Sequence, residues 1–180
     1  MPLTLVTGGV RSGKSRLAVR LAARTNQPVV FVATATAGDE EMKARIERHQ
    51  SDRPTDWTTI EERLDLDKSL SDAPSDACVI VDCLNLWVSS LMGDGFDDDE
   101  IEARAHRAAA LAADREGSTI AVTNEVGWSV HPQTSLGRRF VEVLGRVNRL
   151  WSARSTDAFL VVAGRVISLG SPVEVEIDDG

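Results

Sequence analysis

The run Gly8-Gly9-Val10-Arg11-Ser12-Gly13-Lys14-Ser15 follows directly on the apolar stretch Leu3-Thr4-Leu5-Val6-Thr7 and leads into residues of helical composition. Glycine, four residues, glycine, lysine and serine between a strand and a helix is the P-loop pattern. Gly8 and Gly13 admit positive φ angles and close backbone approach, so that successive amide N–H groups can converge on one anion. Lys14 can then reach the β- and γ-phosphates of a nucleoside triphosphate, and the Ser15 hydroxyl can ligate Mg2+. A helix expected from about Lys14 to Arg24 adds the positive end of its dipole. A chance glycine-rich turn is the alternative, against which stands the succession of strand, loop and helix in order.

Beyond this segment, short apolar runs alternate with helical stretches. Strands are expected at Val29–Ala33, Trp57–Ile60, Cys78–Asp82, Thr119–Thr123 and Ala158–Ala163. Helices are expected at Asp39–His49, Leu84–Met92, Glu100–Arg115 and Ser135–Arg154, with Gly93–Asp99 an acidic loop and no single element over residues 61 to 77. The fold expected is α/β, P-loop NTPase-type and RecA-like: a mainly parallel sheet with helices on both faces. One domain over residues 1–170 and an acidic, frayed tail over 171–180 account for the chain.

Composition bounds the partners. A net charge of −8 and a pI near 4.9 speak against a broad nucleic-acid surface. No run approaches the roughly 18 apolar residues of a membrane span, and the N-terminus enters a strand without a basic region or cleavage site. Cys78 and Cys83, five apart on one expected strand, point to opposite faces and do not readily pair. A reducing cytoplasm is the expected compartment.

Ligands of parallel sheets bind beyond the carboxyl ends of the strands. Asp82 ends an apolar strand and is a candidate Mg2+ carboxylate, with a helix-capping Asp as the other reading. Thr34-Ala35-Thr36 and Asn124-Glu125 should face the ligand as well, and Glu125 reads equally as a group orienting an acceptor hydroxyl or a metal-bound water, or as an exposed loop carboxylate. His49 shares a helical stripe with Met42 and Ile46, which suits a buried histidine. Arg45, Arg48 and Arg53 nearby suit instead a nucleophilic imidazole attacking a phosphate.

The P-loop, Ala33-Thr34-Ala35, Asp39-Glu40-Glu41-Met42, Arg45-Ile46, His49, Arg53-Pro54, Trp57, Glu61, Asn124-Glu125-Val126-Gly127 and Gly145-Arg146-Val147-Asn148 together resemble the bifunctional adenosylcobinamide kinase/adenosylcobinamide-phosphate guanylyltransferases of cobalamin biosynthesis. The resemblance runs to about Gly164. It implies phosphorylation of adenosylcobinamide by ATP or GTP, followed by transfer of GMP from GTP through a guanylylated histidine, here His49, to adenosylcobinamide phosphate. It also implies nucleotide contacts from Gly8, Gly9, Val10, Arg11, Ser12, Gly13, Lys14, Ser15, Thr34, Ala35, Thr36, Gln50, Ser51, Asp52, Arg53, Glu61 and Asp82, catalysis by His49 and Lys14, Mg2+ at Ser15 and Asp82, and a homotrimer. Ser129 and His131 stand where the family usually has glycine and an aliphatic residue, and Arg48 where some members have a second histidine.

Other features weigh less. Asp94, Asp97, Asp98, Asp99 and Glu100 miss the ligand order of an EF-hand and read as a solvated lead into a helix. Trp87 and Trp128 can flank a planar substrate or pack in the core. Other readings are a small-molecule kinase without nucleotidyl transfer, a GTPase switch, which lacks here the Asn-Lys-x-Asp segment, and a polymer-driven motor, for which no basic groove is evident.

Overall fold

The computed structural model describes residues 3–35, 54–128 and 130–172. Its elements in chain order are β1 (Leu3–Gly8), α1 (Lys14–Ala22), β2 (Val29–Ala33), β3 (Thr58–Glu61), α2 (Leu66–Asp72), β4 (Cys78–Asp82), α3 (Leu84–Gly93), α4 (Asp98–Asp114), β5 (Thr119–Val122), α5 (Ser135–Arg154), β6 (Asp157–Val162) and β7 (Arg165–Leu169). The expected helix Asp39–His49 lies outside the described residues, as does the tail beyond Pro172.

The inner strands are apolar on both faces because both faces are covered. Leu3, Leu5, Val30, Val32, Val79 and Val81 pack against Leu66 and Leu70 of α2, Leu84 and Trp87 of α3, Ile101 of α4, and Val143, Leu144 and Trp151 of α5. Their sequence neighbours Val6, Phe31 and Ile80, and Ile120 and Val122 on either side of Ala121, point the other way, where Ala18 and Ala22 of α1 meet them. The sheet runs β3-β2-β4-β5-β1-β6-β7. Pairs from β3 through β6 are parallel, and β7 alone is antiparallel, to β6. Every parallel strand therefore delivers its carboxyl end to one edge, where the loops after β1, β2, β4 and β5 gather.

Some sequence expectations need correction. Residues 61–77 do contain a helix, α2, whose Leu66, Ser69 and Leu70 are buried. Two Glu62 Oε1 hydrogen bonds, from Leu64 and Asp65 N–H, support its start. The acidic loop is shorter than expected, because Asp97 and Glu100 form a reciprocal capping box that starts α4 at Asp98. Asp98 then bonds Arg139 at 2.6 Å and Arg146 at 2.9 Å, tying α4 to α5, and the Arg139 hydrogen bond foremost holds its carboxyl below the usual range. After β6 the chain turns back through Ala163 and Gly164, both at positive φ, and forms the fully exposed β7. Cys83 lies past the end of β4 as the N-cap of α3, so both cysteines pack on the α1 face rather than on opposite ones. Both are free thiols.

Candidate functional site

The turn between β1 and α1 has the backbone its glycines imply. Gly8 has φ +154°, and a Cβ there would lie 2.3 Å from the carbonyl oxygen of Val161, so only glycine fits against β6. Gly13 sits in the left-handed region at φ 102° as the N-cap of α1, and Arg11 adopts φ 56°. Ser12 N–H donates to Gly9 O at 3.3 Å, and Gly164 N–H donates to Ser12 O at 2.9 Å, which fastens the loop to the β6–β7 turn. The start of α1 carries neither a side-chain cap nor an acidic residue in its first turn. A helix start of this kind suits an external anion. Lys14 is buried to 8% exposure, with Nζ donating to Gly9 O at 3.1 Å, and Ser15 is half-buried beside it. The Ser12 hydroxyl is buried with no partner among the described residues.

Asp82 ends β4, two strands from β1, in register with Ala33 of β2 and Val122 of β5. At a strand spacing of about 4.8 Å, the two backbones stand roughly 10 Å apart, a gap that side chains and a phosphate group can bridge. Thr34 follows β2, on the side of β4 away from β1. Its hydroxyl is buried, donating to Cys83 O and accepting from Cys83 N–H, each at 2.7 Å, while Thr34 N–H donates to Asp82 O at 3.1 Å. The hydroxyl thus grips the residue after Asp82, and Ala35 follows it half-buried. Glu61, exposed at the end of β3, pairs with Ala33 at the far edge of the sheet. It lies four strands from β1, roughly 19 Å at the same spacing, so it can address only a part of a nucleotide remote from the phosphates.

Sequence reasoning left Glu125 undecided and gave Thr7 and Asn148 no role at the site. Beyond β5 the chain continues along β1, with Thr123 N–H bonded to Val6 O at 3.0 Å and Glu125 N–H to Gly8 O at 3.3 Å. Glu125 Oε1 accepts from the Thr7 hydroxyl at 3.2 Å and faces Asn148 Nδ2 at 3.5 Å. Asn148, on α5, accepts from Thr123 Oγ1 at 2.7 Å and donates to Asn124 O at 3.0 Å. The signal for Asn148 is a polar residue interrupting the apolar stripe of Val143, Leu144, Val147 and Trp151. Of the tryptophans, Trp87 is core, its Nε1 donating to Leu64 O at 3.0 Å, whereas Trp128 is 73% exposed. Thr36, His49, Gln50, Ser51, Asp52 and Arg53 lie outside the described residues.

A P-loop on β1, a carboxylate on β4 and one strand between them form a RecA-like arrangement. The fold is similar to that of a solved ATPase domain (TM-score 0.51, 12% identity, 88% of this chain and 68% of that one). It is similar also to that of a Pyrococcus horikoshii protein (TM-score 0.56, 13% identity, 96% and 87%). In sequence, the chain is 42% identical over 173 residues to the bifunctional adenosylcobalamin biosynthesis protein CobP of Pseudomonas aeruginosa, covering 94% of this chain and 98% of that protein. It is 35% identical over 175 residues to the bifunctional adenosylcobalamin biosynthesis protein CobU of Escherichia coli, covering 90% and 96%. Residues 4–169 match the family described as cobinamide kinase / cobinamide phosphate guanyltransferase, and the chain belongs to that family.

Proposed function

We propose that this protein phosphorylates adenosylcobinamide with ATP or GTP and then converts the product to adenosylcobinamide-GDP with a second GTP. The observation that carries this reading is the family match over residues 4–169, which spans the P-loop and the whole parallel sheet edge. In the kinase step the substrate hydroxyl oxygen attacks the γ-phosphorus, the bond to the β–γ bridging oxygen breaks, and the nucleoside diphosphate leaves. The Gly8–Ser15 amides and Lys14 hold the phosphates and offset the charge spread over the transferring group.

In the second step the His49 imidazole attacks the α-phosphorus of GTP, pyrophosphate leaves, and a phosphoramidate carries the GMP. The phosphate of adenosylcobinamide phosphate then attacks that phosphorus, the P–N bond breaks, and His49 is regenerated. Thr34, Ala35, Thr36, Gln50, Ser51, Asp52, Arg53, Glu61 and Asp82 complete the proposed nucleotide site. The Ser15 hydroxyl and the Asp82 carboxylate, both half-buried oxygen donors at one end of the sheet, suit Mg2+. Bound there, the ion would neutralise phosphate charge. Residues 1–170 act as one domain and the chain as a homotrimer in the cytoplasm, readings supported by the family resemblance and, for the compartment, by two free buried thiols. No helix among the described residues is long and apolar enough to cross a membrane.

Incubation with GTP labelled at the α- or the γ-phosphate tests the scheme. The α label should appear on the protein without any acceptor, and the γ label on adenosylcobinamide. Transfer of the γ label with no protein-bound α label would leave a kinase alone, and hydrolysis without transfer would leave a GTPase.

A further inference from the structure

β5 is the strand inserted between the one that enters the P-loop and the one that ends in Asp82. Its continuation brings Glu125 against Gly8, the first residue of the loop, through a backbone hydrogen bond of 3.3 Å. The carboxylate is therefore fixed to the same backbone that cradles the phosphates, and it is fixed asymmetrically. Its two donors among the described residues, the Thr7 hydroxyl at 3.2 Å and the Asn148 amide at 3.5 Å, both meet Oε1. Oε2 has no hydrogen-bond partner among the described residues, and no Lys or Arg among them pairs with the group. The donors are themselves anchored: Thr7 is buried in β1, and Asn148 is held by Thr123 and by the Asn124 carbonyl. On the preceding residue, Asn124 Oδ1 is buried with no partner among the described residues. Glu125 is half-buried, so the oxygen that the protein does not engage can meet solvent or a bound acceptor. This one is oriented by one oxygen, and the other is left to solvent or a ligand on a residue whose N–H is bonded to the first glycine of the P-loop.

We infer that Glu125 is the general base of the phosphoryl-transfer step, with Thr7 and Asn148 as its positioning residues. The inference rests on the kinase activity proposed above. As the acceptor hydroxyl oxygen forms its bond to the γ-phosphorus, its proton passes to Glu125 Oε2. The electron pair of the breaking bond leaves with the β-phosphate of the nucleoside diphosphate. The guanylyl half-reaction has no hydroxyl to deprotonate, since a neutral imidazole and then a phosphate are its nucleophiles. Glu125 thus has work in only one of the two reactions.

The test compares Glu125→Gln with the parent protein, using γ-labelled GTP with adenosylcobinamide for one reaction and α-labelled GTP without acceptor for the other. A general base contributes about 10²- to 10⁴-fold, so the ratio of the γ-transfer rate to the protein-labelling rate should fall at least about 100-fold. Asn148→Ala, which frees the carboxylate without removing it, should lower the same ratio in the same direction by a smaller factor, with KM for adenosylcobinamide little changed. Equal loss of both labels in Glu125→Gln, or a ratio within about tenfold of the parent, would overturn the assignment. Should the parent itself place α label on protein but no γ label on adenosylcobinamide, the kinase reading fails, and the base goes with it.

Discussion

Thr34 and Cys83 are joined by one oxygen: the Thr34 hydroxyl donates to the Cys83 carbonyl and accepts from the Cys83 N–H, both at 2.7 Å and both buried. Two strands are thereby locked together at the point where Asp82 leaves β4. Thr34→Val keeps the shape but removes the hydroxyl that accepts from Cys83 N–H and one of the donors to the Cys83 carbonyl, which still receives Trp87 N–H at 3.2 Å, and it should destabilise the protein by about 2 kcal/mol. Thr34→Ser should recover most of that. If Asp82 holds Mg2+, the Val variant should also need several-fold more Mg2+ for tight GTP binding, in the direction of Asp82→Asn. Isothermal titration with GTP across Mg2+ concentrations, beside denaturant melts, would show whether the two effects travel together. A Val variant as stable as the parent would remove the clamp from the account.

Lys14 sits at the start of α1 with its ammonium turned over the loop onto Gly9 O. Lys14→Ala should lower both γ-phosphoryl and guanylyl transfer by about 10²- to 10³-fold, the scale set by losing one preorganised charge at a developing anion. The melting temperature without nucleotide is expected to change far less. Initial rates with each label measure the first, and thermal melts the second. Undiminished turnover in either reaction would take the lysine out of it.

His49→Asn is expected to abolish protein labelling from α-labelled GTP while leaving γ-transfer to adenosylcobinamide measurable. In the parent the adduct should be lost in acid and survive alkali, as a phosphoramidate does and a serine ester does not. An Asn variant that labels as fully as the parent would place the nucleophile elsewhere.

Cys78 begins β4 on the α1 face, and burial pushes its thiol up from 9.0 to about 11, against smaller opposing effects of Thr25 and Arg115. The folded protein thus favours the neutral thiol, so this contribution is complete below pH 9 and lost as pH rises toward 11. Unfolding free energies from denaturant melts should fall between about pH 8.5 and about pH 10.5 by up to roughly 2 kcal/mol in the parent. Cys78→Ala should lose that part of the slope. Parallel pH curves for the two proteins would show that the thiol is not shifted.

The P-loop and the strands β1, β2 and β4 were legible because their signals are local: glycines at a fixed spacing, of which Gly8 admits no Cβ and Gly13 takes a positive φ, and apolar runs bounded by turn residues. Ser135–Arg154 was legible to the residue for the same reason, through a long amphipathic period. α2 was not, since its seven residues show too little period and are defined by where Leu66 and Leu70 are buried. β7 hid behind an Ala163-Gly164 turn, because alanine seldom takes the positive φ that such a hairpin requires, and its exposed residues mark no core. Which residues could bind phosphate was thus determined by the sequence. What surrounds them was decided by the sheet order: β5 lies between β1 and β4, and that places Glu125 at Gly8 and moves Glu61 to the far edge. Strand order depends on contacts between residues distant in the chain, such as Thr7 with Glu125 and Thr123 with Asn148. No local pattern carries that information, so only the packed structure shows one oxygen of Glu125 held and the other without a protein partner among the described residues.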